Sequence, residues 1–119
     1  MAQHNELGKK GEELAVQFLI ENGYTILERN YRFNKAEVDI IALQNDILAI
    51  VEVKTRSSLD FGNPESFLKP RQIKNLVKAV NYYVETSNLD VEIRFDIISI
   101  LKENGNYTLK LIKNAFFHF

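Results

Sequence analysis

The sequence predicts an α/β fold, one mixed sheet flanked by helices, in the order αβββαββ. Two patterns carry this expectation. Apolar residues recur at helical spacing in two places, near the start of the chain and between residues 70 and 86, and strand-like runs rich in Val and Ile fill most of the rest. The composition agrees: of 119 residues, 45% are hydrophobic, 26% are charged, and Gly and Pro together number seven. That is ordinary globular composition, and the length predicts one domain over 1–119 with a single core.

The first helix is expected from about Glu6 to Asn22. Leu7, Gly11, Leu14, Ala15, Phe18 and Leu19 form its apolar stripe, and Asn22-Gly23 supplies the stop. Tyr24 to Arg32 reads as a strand, and Glu37 to Leu43 as a second. After a turn at Asn45-Asp46, Ile47 to Lys54 reads as a third, giving a hairpin. Ile47 to Val51 is apolar at every position, the pattern of a central strand covered on both faces. Arg56 to Lys69 reads as a loop, and Pro70 opens a second helix running to about Thr86, with Ile73, Leu76, Val77, Val80, Tyr83 and Val84 as its stripe. Val91 to Leu101 is a fourth strand, Asn104-Gly105 a hairpin turn, and Tyr107 to Ile112 the returning fifth.

Several classes of function fall away. The absence of cysteine excludes a disulfide scaffold, a thiolate zinc site and cysteine catalysis. No run approaches the roughly 18 apolar residues of a membrane span, and Met1 to Lys10 lacks a signal-peptide core, so no membrane association and a cytoplasmic location are expected. The net charge of −1 argues against indiscriminate nucleic-acid binding. It is a sum over unlike parts, however. The segment from Lys54 to Lys78 carries +4, from Lys54, Arg56, Lys69, Arg71, Lys74 and Lys78 against Asp60 and Glu65, while the remainder carries −5.

The chemistry lies where charges interrupt apolar strands. Glu52 and Lys54 share one face of the third strand, and a short hairpin would bring Asp39 of the second strand close to them. Acids there are costly to desolvate unless paired or bound to a cation. One reading is a magnesium site, with Asp39 and Glu52 as ligands and water and a substrate phosphate completing the shell. Lys54 would then orient the attacking water or stabilise charge on the phosphate. The other reading is a structural ion pair on a solvated sheet face.

Beyond Lys54, Arg56 adds a second cation. Arg71, Lys74 and Lys78 follow at i, i+3 and i+7 on the second helix, with Lys69 just before it; such a row suits a phosphate backbone, or simply a solvated helix face. Glu12 borders the buried stripe of the first helix and either reaches a metal through water or lies at the surface. Gly8 and Gly11 each cost about 1 kcal/mol relative to alanine inside a helix, so they predict close approach of another backbone or of substrate. Arg94 and Asp96 share a strand face and read as a structural pair. The tail Ala115 to Phe119 reads as core packing or a homodimer contact, and His4 and His118 have no ligand spacing.

As an ordered set, these residues resemble the YraN-like family of uncharacterised bacterial proteins, placed in the restriction-endonuclease-like PD-(D/E)XK superfamily. The resemblance runs from Gly8 to about Ile98. It rests on Gly8, Gly11, Glu12 and Ala15; on Gly23-Tyr24, Ile26-Leu27 and Asn30-Tyr31-Arg32; on Ala36 to Ile41; on Val51 to Arg56; and on Arg94-Phe95-Asp96. Ala36 stands where the family pattern has glycine. The resemblance implies an αβββαβ core with an added C-terminal strand here and, by analogy with archaeal Holliday junction resolvases, a Mg²⁺- or Mn²⁺-dependent nuclease site. In it Asp39, Glu52 and Lys54 match the core motif and Glu12 the helix-borne acid. The leading expectation is therefore an endonuclease acting on DNA, branched or single-stranded substrates included. The alternatives are a catalytically inactive nucleic-acid-binding module of the same fold and an interaction protein using the aromatic tail.

Overall fold

A computed structural model describes residues 6–57 and 69–115. Most of the loop expected between Arg56 and Lys69 lies outside the described residues, as do Asp60, Glu65, His4, His118 and the tail 116–119. The elements are α1 (Glu6–Glu21), β1 (Thr25–Phe33), β2 (Ala36–Gln44), β3 (Ile47–Arg56), α2 (Pro70–Ser87), β4 (Glu92–Glu103) and β5 (Asn106–Ile112). This is the expected αβββαββ order. The five strands form one sheet in sequence order, antiparallel throughout except for the parallel pair β3–β4.

Asparagine shapes the turns. The three hairpins have two-residue loops whose first residue, Asn34, Asn45 or Asn104, takes a left-handed φ between 51 and 56°. Asparagine tolerates that region better than other side chains, and two-residue loops with positive φ match the twist of paired strands. The same geometry ends α2, where Asn88 (φ 56°) is the C-cap and donates its N–H to the carbonyls of the last turn.

Strand β3 lies at the centre of the sheet, buried on both faces as its unbroken apolar run predicts. Ala49 and Val51 pack with Ala15, Val16 and Leu19 of α1, while Leu48 and Ile50 pack with Leu76, Val80 and Tyr83 of α2. One helix therefore covers each face. The approach of α1 depends on Gly11: a Cβ there would overlap the Thr55 hydroxyl and lie 2.9 Å from the Thr55 Cβ. The close neighbour of this glycine is thus a side chain, that of Thr55 near the end of β3, where the sequence predicts another backbone or substrate.

Arg94 and Asp96 form the structural pair expected of them. Asp96 is 1% exposed, the only buried charged residue among those described. Its carboxylate accepts from Arg94 Nε (3.0 and 3.1 Å) and Nη2 (2.9 Å), and from the Asn114 backbone N–H (3.1 Å). Arg94 also donates to the Tyr24 hydroxyl at 2.8 Å. The hydrogen bonds to Asp96 push the guanidinium pKa up, against the opposing effect of burial.

Two outcomes follow for stability. Gly11→Ala is expected to lower it by up to about 2 kcal/mol, because overpacking (typically about 1–3 kcal/mol) outweighs the helix-propensity gain of about 1 kcal/mol. Thr55→Ala in the same chain should recover part of the loss, seen as non-additivity in urea melts. Asp96→Ala, which leaves the Arg94 charge without its carboxylate, should cost about 3–5 kcal/mol in the same measurement.

Candidate active site

Strands β2 and β3 pair from Gln44–Ile47 to Ile40–Val51. One step further, that register brings Asp39 opposite Glu52. Here the ladder gives way to a side chain: the Asp39 Oδ2 accepts the Val53 backbone N–H at 2.8 Å. The other neighbour of β2 also deviates at this point. In β1, Asn30 takes φ 54°, and the β1–β2 pairs on either side are Arg29–Ile40 and Tyr31–Val38. Ile40 is buried on the α1 side of the sheet and Val38 on the α2 side. Residues two apart on a regular strand share a face, so the alternation slips at Asp39.

The Glu52 and Lys54 side chains meet on one face of β3, with Lys54 Nζ 3.3 Å from Glu52 Oε2. Both are partly buried, as is Asp39. Asp39 and Glu52 line a cavity of about 250 Å³ together with Glu37, Lys35, Gln72 and Asn75. The acids repel one another in this confined space. Burial first, then the Glu52 charge, raises the Asp39 carboxyl to about 8, with Glu12 and Glu37 adding to the rise and the Val53 N–H opposing it. Burial also raises Glu52; Lys54 lowers it, through its charge and a hydrogen bond, and Glu37 and Glu12 add smaller upward pushes.

The structure thus brings Asp39, Glu52 and Lys54 together, with Glu12 near enough on half-buried α1 surface to act on both acids. Glu37, near the start of β2, joins the same field while sitting 3.7 Å from Arg32. Of the cations expected to meet a phosphate backbone, Lys69, Arg71, Lys74 and Lys78 are all exposed along the α2 side, and Arg56 is half-buried at the end of β3. Lys78 lines a second cavity beside the first. Sequence reasoning passed over Lys35, Gln72 and Asn75. The α2 pair had a legible signal, being polar at i and i+3 with Leu76 directly after them, at the border of the apolar stripe. Lys35 had none, because its position depends on the turn at Asn34-Lys35.

The donor set suits a hard divalent cation. Asp39 uses one oxygen for Val53 N–H and Glu52 one for Lys54, so each carboxylate retains a second oxygen. Among the described residues there is no group of three or more His, Asp or Glu placed to hold a metal. Two carboxylates completed by water and a phosphate are an arrangement Mg²⁺ accepts and Zn²⁺ does not favour.

A family model described as uncharacterised protein family UPF0102 matches residues 11–100. A UPF0102 protein of Christiangramia forsetii is 60% identical over 119 residues, covering all of both chains. One from Flavobacterium psychrophilum is 58% identical over the same full length. A third, from Bacteroides thetaiotaomicron, is 48% identical over 117 residues, 98% of this chain and 97% of that one.

The carboxyl of Asp39 sets the sign of a pH dependence. A pKa raised from 3.8 to about 8 means that its neutral form is favoured in the folded state. The stabilisation is complete below the unfolded value and is lost as pH rises through the folded one. In chelator, thermal stability should therefore fall between pH 5 and pH 9, and Asp39→Asn should flatten that slope. A melt series on both proteins checks it.

Proposed function

The chain belongs to the uncharacterised family UPF0102, and we propose that it is a divalent-metal-dependent endonuclease that hydrolyses DNA phosphodiester bonds, with branched or single-stranded DNA among its substrates. The observation that carries this reading is the pair of neighbouring, partly buried carboxylates, Asp39 and Glu52, with Lys54 at 3.3 Å from one of them. Two like charges in a shared cavity are costly alone and favourable around a cation.

In this reading Asp39 and Glu52 would hold Mg²⁺ or Mn²⁺. When bound, the ion would acidify a water and neutralise charge on the scissile phosphate. The Asp39–Val53 hydrogen bond fixes one carboxylate against the backbone, so its direction does not depend on substrate. Lys54 opposes the rise that burial gives Glu52 and presents its ammonium group beside a reacting phosphate. Glu12 orients a water from the α1 side. The exposed cations Lys69, Arg71, Lys74 and Lys78, with Arg56 beyond Lys54, carry the adjoining strand. With a net charge of −1, affinity for arbitrary duplex is low, and metal and DNA shape contribute the rest.

Labelled duplex, single-stranded and four-way-junction DNA, each incubated with the protein and Mn²⁺, test the proposal. Cleavage of at least one substrate is expected, lost in Asp39→Ala and Glu52→Gln and slowed roughly 10²- to 10³-fold in Lys54→Ala. Cleavage that persists at full rate in Asp39→Ala, or no cleavage of any substrate, overturns it.

A further inference from the structure

Beside the carboxylate cavity lies a second one of about 390 Å³, walled among the described residues by Phe33, Asn34, Lys35, Asn75 and Lys78. Lys35 and Asn75 line both cavities, so the two adjoin. The second differs in chemistry from the first. No acid lines it. It offers one aromatic ring, two side-chain amides and two ammonium groups, within the size range of roughly 300–1,000 Å³ typical of small-ligand sites.

The ring is held in place. Phe33 stacks on Tyr82 of α2 with centroids 4.5 Å apart and planes 26° from parallel. Tyr82 is itself 47% exposed, so this aromatic pair sits at the surface and not in the core. Asn34 is fixed by the turn between β1 and β2, where its φ is 54°. An aromatic wall with amide donors and acceptors beside it matches a planar heterocycle carrying polar edges, and the lysines match phosphates on either side of it. A base inside a duplex is stacked on both faces and has none free for such a wall.

We infer that this second cavity is a subsite for one unpaired nucleobase of the strand whose phosphate lies at Asp39 and Glu52. Phe33 stacks on the base, Asn34 and Asn75 meet its edge, and Lys35 and Lys78 hold the flanking phosphates. The inference rests on the nucleic-acid reading above and narrows it: the substrate must present an unstacked nucleotide next to the scissile bond, as a single strand, a flap or a junction does.

The test is binding, measured in chelator so that cleavage plays no part. Fluorescence anisotropy compares three labelled probes: a short thymidine oligonucleotide, a strand of the same length made of abasic units, and a duplex. Phe33→Leu keeps apolar volume at the site and removes the aromatic face. Asn34→Gly removes the amide while retaining a residue at ease with positive φ. The thymidine strand should bind more tightly than the abasic one. Phe33→Leu should weaken the thymidine strand roughly fivefold or more and leave the abasic strand and the duplex unchanged, with Asn34→Gly following the same pattern to a smaller extent. Equal binding of the thymidine and abasic strands, which marks a phosphate site only, overturns the inference. So does a loss in Phe33→Leu that is the same for all three probes. The two readings fail separately: base-dependent binding without cleavage by Mn²⁺-loaded protein removes the nuclease, and Asp39-dependent cleavage with no effect of Phe33 removes the subsite.

Discussion

Strand β3 meets two opposed demands within ten residues, and the rest of the structure is arranged around them. Up to Val51 it must be apolar on both faces, because a helix covers each side of the sheet at its centre. From Glu52 onward it is half-buried and, Val53 apart, polar. The change cannot be gradual, since a carboxylate one position earlier, at Val51, would be enclosed in the core beneath α1. The two strands on one side of β3 adjust at the crossing point, while β4 pairs along its whole length without a shift. β2 replaces a ladder contact with the Asp39 carboxylate, and β1 takes a left-handed residue opposite it. Further along, at Thr55, α1 gives up a side chain at Gly11 to come close. Removing the sheet's usual hydrogen bonding there exposes a backbone N–H, and Asp39 satisfies it.

Much of this was legible in the sequence because it follows from local pattern. The unbroken run Ile47 to Val51 identified the doubly covered strand, and the alternation after it put Glu52 and Lys54 on one face. Asn104-Gly105 announced its turn, and the shared parity of Arg94 and Asp96 announced their ion pair. The slip at Asp39 was not legible. It needs Asn30, a residue with no signature beyond its tolerance of positive φ, to deviate together with a partner nine positions away on another strand. The contributions of Gln72, Asn75 and Lys35 were hidden for a similar reason. Periodicity states which face of α2 is apolar but not how far along the sheet that helix sits, and the polar residues at the edge of its stripe acquire meaning only from that placement.

The two aromatic contacts between β1 and α2 fix that placement. Tyr31 meets Tyr83 edge-on with centroids 5.1 Å apart, and Phe33 stacks on Tyr82. Tyr83 also donates its hydroxyl to Glu28 at 3.4 Å, and burial is the first cause of its raised pKa, with the Glu28 charge next. Glu28, Tyr31 and Phe33 of one strand thereby meet Tyr82 and Tyr83, two successive residues of one helix. The amides of α2 are consequently positioned by rings that lie outside the carboxylate cavity altogether.

The sheet's connectivity also sets the order in which the halves of this region become affordable to a folding chain. Asp39 and Glu52 belong to one hairpin with a two-residue turn, so little chain entropy is lost in bringing them together. Their counterpart on α2 is reached only after the chain leaves β3 at Arg56, and it is secured when β4 returns to lie parallel beside β3. Parallel pairing demands that longer closure and is intrinsically slower. The acidic wall is thus a product of local structure, the α2 wall with Gln72 and Asn75 one of global topology, and the cleft between them exists only once the crossover has closed.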